Sequence, residues 1–110
     1  MTTTSIPESS YATRVSALLD EATAAWRRKD YVAAEKTCRE ARALAADHIG
    51  RDSLAYGYCV EDLGIILTAV NRLDEAREVL GEALGVMEPL LGSRAPEVER
   101  IVGRLHDLYH

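Results

Sequence analysis

The chain repeats itself at an offset of 42 residues. In that register Tyr31 falls on Leu73, Ala34 on Ala76, Cys38 on Leu80 and Ala41 on Ala83. Leu18 falls on Val60 and then Val102, Ala22 on Gly64 and His106, and Ala25 on Leu67 and Tyr109. The breaks coincide too, because Ile49-Gly50 lands on Leu91-Gly92. A single register that aligns small residues, large residues and turns is the mark of stacked supersecondary units. No such unit can bury its apolar face alone, so neighbours must stack to make a continuous core. A four-helix bundle or a plain array of helical hairpins gives no reason for small residues to recur at one offset.

The unit itself is a pair of helices. From Tyr11 to Arg28, Val15, Leu18, Leu19, Ala22, Ala25 and Trp26 follow the spacing of a helix with one buried face. Lys29-Asp30 breaks that helix, and Tyr31 to Asp47 repeats the pattern with Ala34, Cys38, Ala41 and Leu44-Ala45. Gly50 to Ser53 reads as a turn that ends in a helix-starting Asp or Ser. Leu54 to Val70 forms a third helix, closed at Asn71-Arg72, where Asn tolerates a left-handed backbone. A fourth runs from Asp74 to about Glu88, with Pro89 near its last turn as a place to kink. Pro96 suits the first turn of a fifth helix that runs to the end of the chain. Sixteen Ala, 13 Leu and 11 Arg, with no Phe, favour helices over strands. The expected fold is therefore all-α: residues 1–10 a flexible tail, and 11–110 one domain of five helices, or two and a half units.

At these residues the chain resembles the tetratricopeptide repeat, in the longer 42-residue form found in kinesin light chains and many bacterial proteins. The second unit carries the resemblance best, through Leu63-Gly64, Asn71-Arg72-Leu73-Asp74-Glu75-Ala76 and Ala83-Leu84. Leu90 to Val98 is similar to the loop between repeats, and Leu105 to Tyr109 to the start of a further repeat. The first unit departs from the pattern, with Glu21 where Leu63 and Leu105 stand. The resemblance covers about residues 14–110 and implies a right-handed α-solenoid whose first helices line a concave, partner-binding face. On that face it places Leu19, Thr23, Trp26 and Arg27, with Ser16 beside them, from the first unit. Tyr58, Glu61, Ile65 and Thr68 follow from the second unit, then Arg100 and Asp107 from the last helix. Trp, Tyr and Arg are the types that most often dominate binding energy. Trp26 has a competing role as core, packed on a neighbouring helix. The clamp by which some members grip chaperone C-termini needs Lys and Asn there; this chain has only Lys29 and Lys36.

The implied function is a non-enzymatic adaptor that binds a peptide or helix of another protein. The alternative is a self-associating module. The last helix carries Val98, Ile101, Val102, Leu105, Leu108 and Tyr109, and no later helix covers its second side, so two copies would pair through it. A subunit of a larger enzyme or secretion system is a third reading.

Chemistry-bearing motifs are sparse. Cys38 and Cys59 read as small core residues rather than reactive thiols. His106 and His110 have metal-ligand spacing on a helix but no third ligand nearby, so no metal or cofactor is expected. Neither a phosphate-binding glycine loop nor a nucleophile elbow is present. A formal net charge of −5 speaks against nucleic acid as a partner. Basic residues nevertheless crowd the first unit, at Arg14, Arg27, Arg28, Lys29, Lys36, Arg39 and Arg42, whereas acids dominate the second. The apolar stretch at Leu63–Val70 is too short to span a membrane, and Met1–Ser10 has no secretion signal. The expected setting is the cytoplasm, and the Arg-rich, Lys-poor composition points to a GC-rich bacterial genome.

Overall fold

The computed structural model describes residues 8–109, which form five α-helices and no strand. They are α1 (Glu8–Arg27), α2 (Tyr31–His48), α3 (Leu54–Ala69), α4 (Leu73–Leu91) and α5 (Pro96–Leu108). Most of the expected flexible tail, residues 1–7, lies outside the described residues; the remainder, Glu8 to Ser10, already belongs to α1. α1 pairs with α2 and α3 with α4, and α5 packs on α4 as the first half of a third unit.

The 42-residue register is visible in the backbone. Lys29 and Asn71 are the two non-glycine residues at positive φ among the described residues, at 62° and 64°. Each closes a first helix with the same pair of hydrogen bonds. Asp30 N–H donates to the Ala25 carbonyl and Lys29 N–H to Trp26; Arg72 N–H donates to Leu67 and Asn71 N–H to Thr68. This is the Schellman arrangement, and it turns the chain sharply enough to lay the second helix against the first. The second helix of unit one then starts on the Asp30 side chain, which accepts from Ala33 N–H at 3.2 Å. α3 starts on Ser53, whose Oγ accepts from Tyr56 N–H at 3.1 Å, which settles the choice between Asp52 and Ser53.

α4 continues through Pro89 to Leu91 instead of ending at Glu88. The proline removes the N–H that would bond to the carbonyl four residues back, that of Gly85, and Gly85 is exposed. The orphaned bond faces water, so the helix survives.

Small residues set how closely the helices approach. A Cβ built on Gly64 would meet Leu80 Cγ at 2.5 Å, and one on Gly57 would meet Met87 Cγ at 2.7 Å. Ala22, Ala34, Ala41, Ala45, Ala76 and Ala83 are all buried at the other crossings. Leu63, Leu67, Leu80, Met87 and Ile101 fill the spaces between, as one contiguous core.

Ion pairs knit the two second helices together across the repeat boundary. Arg39 reaches Glu35 at 2.9 Å and Glu75 at 2.7 Å, while Arg72 reaches the same two acids at 2.7 and 2.6 Å. The four side chains form a closed ring from α2 to the start of α4. One turn further on, Arg42 pairs with Glu82 at 2.8 Å, and the Tyr56 hydroxyl donates to the same carboxylate at 2.5 Å. Two of the first unit's basic residues, Arg39 and Arg42, are thus answered by acids of the second.

Candidate functional site

The first helices stand next to one another, so residues 42 apart become neighbours. Thr23 of α1 and Ile65 of α3 share that register, and both line a hollow of about 280 Å³. Ala22 and Trp26 complete its α1 wall, Asp62 and Ile66 its α3 wall, and Arg104 reaches in from α5. Three residues expected on the partner-binding face, Thr23, Trp26 and Ile65, are therefore brought together.

Trp26 serves two surfaces at once. It is half-buried, and its ring meets Tyr31 edge-on, with centroids 5.3 Å apart at 66°. The same side chain lines the hollow. Leu19 is half-buried against the core, and the Thr23 hydroxyl is occupied by the Leu19 carbonyl at 3.0 Å. Arg27 is exposed at the end of α1.

Tyr58, Glu61 and Arg100 are engaged elsewhere. Arg100 donates two hydrogen bonds to Glu61, Nε to Oε2 at 2.6 Å and Nη2 to Oε1 at 3.0 Å. Glu61 is only 2% exposed, which corrects its expected role as a partner contact. A carboxylate taken out of water needs its counter-charge in place, and here α5 supplies it. Tyr58 is half-buried and donates its hydroxyl to Glu97 at 3.2 Å, a second tie from α3 to α5.

Asp62 and Arg104 escaped the sequence reading. Asp20, Asp62 and Arg104 share the 42-residue register on successive first helices, and that alignment was the available signal. Asp62 is half-buried and makes no hydrogen bond or ion pair within 4.0 Å among the described residues. Burial pushes its carboxyl up to about 6, and the charge of Glu61 adds to the effect. Arg100 and Arg104 act in the opposite direction without cancelling it.

A second hollow of similar size lies between α2 and the start of α3, beside Arg39, Arg42, Arg51 and Tyr56. Its cations are already engaged. Arg39 and Arg42 hold carboxylates, and Arg51 sits over the Tyr56 ring at 5.8 Å.

The outward side of α5 is the other feature the sequence anticipated, and the six residues divide. Val98 and Ile101 are 1% and 0% exposed in the chain's own core, which corrects their assignment to a self-association face. Leu105 and Leu108 are half-buried against that core. Val102 and Tyr109 are open, at 48% and 73%. Their counterparts in the second unit, Val60 and Leu67, are fully buried, so the difference marks the half unit.

The cysteines are inert by position. Cys38 and Cys59 are both buried and free, and the Cys38 thiol donates to the Cys59 carbonyl at 3.4 Å. Burial above all, then the Asp62 charge, pushes Cys59 up to about 12 and Cys38 further still. Among the described residues no three His, Cys, Asp or Glu side chains converge as metal ligands; His110 lies outside them. No described helix is long and apolar enough to cross a membrane.

No curated protein matches the chain. The family model of the tetratricopeptide repeat matches residues 13–88, which covers most of α1, all of α2 and α3, most of α4, the two Schellman turns and the Gly64–Leu80 crossing. On that match the chain belongs to the tetratricopeptide repeat family, whose members generally mediate protein–protein interactions.

Proposed function

We propose that this chain is a non-enzymatic adaptor that holds a peptide or helix of a partner protein along the concave side formed by α1, α3 and α5. The observation that carries this reading is the hollow between Trp26, Ile65 and Ile66, an apolar recess at the junction of the first helices. Its volume of about 280 Å³ falls just under the ~300 Å³ of the smallest ligand sites. That suits an anchor side chain on a longer segment better than a free metabolite. Leu19 and Arg27 extend the face along α1, and Tyr58 and Arg100 border it toward α5. The cytoplasm fits two free, buried thiols, which suit a reducing compartment.

The test is selection of random 12-residue peptides displayed on phage against the full chain. Peptides enriched on wild type should bind Trp26→Ala at least about fivefold more weakly, roughly 1 kcal/mol, with the helical circular dichroism unchanged. Equal binding to a folded Trp26→Ala variant removes the hollow from the function.

A second reading has its own observation. Val102 and Tyr109 are open where their counterparts Val60 and Leu67 are buried, so a helix from a second copy would find apolar surface there. Light scattering on a sizing column reads it directly. A particle of about 24 kDa that Val102→Glu halves supports the dimer, and a 12.1 kDa monomer at all concentrations rejects it.

A further inference from the structure

Resting on the adaptor reading above, we infer that the hollow between α1 and α3 selects a lysine or arginine side chain of the partner, received by the Asp62 carboxylate along the Trp26–Ile65 wall. Three observations converge on a long basic side chain. The first is the wall itself: Trp26, Ile65 and Ile66 offer an apolar surface of the kind that the methylene stem of Lys or Arg covers. The second is the aromatic member of that wall, since an indole face attracts a cation that approaches it. The third is Asp62, a half-buried carboxylate in the recess with no hydrogen bond or close ion pair among the described residues.

The neighbouring acids and bases sharpen the assignment. Glu61, one residue away, is saturated by the two-pronged contact of Arg100, so it leaves Asp62 as the acceptor in the hollow. Glu35, Glu75 and Glu82 are likewise occupied, by Arg39, Arg72 and Arg42. Against that background of answered charges, Asp62 stands out. Arg104 lines the same hollow but lies beyond ion-pair distance of Asp62; it is exposed, and its charge acts on the carboxyl without cancelling the effect of burial. A partner cation seated on Asp62 gains a charge-assisted hydrogen bond out of bulk water. A neutral apolar side chain would fill the same wall but leave the carboxylate half-buried and unanswered, which disfavours it. An acidic side chain would add repulsion to that.

The phage-selected peptides decide the matter when their sequences are compared between wild type and Asp62→Lys. The expected wild-type pool carries Lys or Arg at one fixed position flanked by apolar residues. Asp62→Lys should lose that preference and enrich Asp or Glu at the same position. A wild-type peptide titrated against Trp26 fluorescence, the one tryptophan in the chain, should bind Asp62→Asn about tenfold more weakly. A scrambled peptide of equal charge controls for the overall net charge of −5. Helical circular dichroism of each variant shows that the fold is intact. A wild-type pool without a fixed basic position, or one unchanged by Asp62→Lys, overturns the inference. In both of those cases a pool still lost on Trp26→Ala keeps the adaptor reading. A pool insensitive to Trp26→Ala, or no enrichment at all, overturns both.

Discussion

Arg100 clasps Glu61 across the seam between α3 and α5, with two hydrogen bonds of 2.6 and 3.0 Å onto a carboxylate that is 2% exposed. The pair joins the last, unpaired helix to the completed second repeat. A carboxylate so deeply placed has lost its hydration, and the guanidinium is what offsets that loss. Arg100→Ala should therefore cost about 2–4 kcal/mol in urea unfolding, because it strands the charge rather than merely deleting a contact. Adding Glu61→Gln to that variant should restore part of the loss. Strict additivity of the two substitutions would show that the residues are not coupled.

Two kinds of glycine separate close packing from mere backbone freedom. Gly64 leaves no room for a methyl group against Leu80, so Gly64→Ala should destabilise the chain by about 1–3 kcal/mol. Gly85 lies in the same helix pair, yet nothing is within 4 Å of where its Cβ would stand. Gly85→Ala should stabilise by about 0.5–1 kcal/mol, since the helix loses a flexible residue and gains a helix former. Thermal unfolding of both variants checks the opposite signs.

The helix pairs, their turns and the small residues at crossings were legible because each is a local pattern repeated at a fixed offset. Asn71 announced its left-handed turn by residue type. Lys29 did not, since only the register that pairs it with Asn71 reveals the same conformation. The closed ring of Glu35, Arg39, Arg72 and Glu75 was half visible. Glu35 and Arg39 form an ordinary helical pair, whereas the reach to Arg72 and Glu75 depends on how α2 and α4 are laid side by side. Site residues divided for a similar reason. Trp26, Thr23 and Ile65 follow from repeat position alone. Glu61 shares that position but turns inward to Arg100, and Asp62 beside it lines the hollow. One residue of helical rotation, decided by packing against α5, exchanged their roles.

Both thiols should be silent in the folded chain. Burial opposes forming either thiolate, and the nearby Asp62 charge opposes it further. Ellman's reagent at pH 8 should label neither Cys38 nor Cys59 until urea unfolds the helices, after which both react. Rapid labelling of the native chain would mean that α2 and α3 separate readily at their contact.

Asp62 gives the molecule a pH dependence whose sign follows from its position. The folded carboxyl titrates at about 6, above its ordinary value of 3.8, so the folded state holds the proton more tightly than the unfolded chain does. Below about pH 4 the group is protonated in both states and contributes no penalty. As the pH rises from about 4 to about 6, the unfolded chain gives up its proton before the folded one does and stability falls; above 6 the folded chain carries the half-buried charge and the penalty is at its full size. Asp62→Asn removes that charge. It should raise stability at pH 7.5 by about 1–2 kcal/mol, a figure reduced for the part of the side chain that water still reaches. The gain should shrink between pH 6 and pH 4 and vanish below. Urea unfolding of wild type and variant at pH 4, 6 and 7.5 measures it. A gain that is constant with pH would place the effect in packing rather than in charge. A loss at pH 7.5 would mean that Arg100 and Arg104 hold the carboxylate more firmly than burial opposes it.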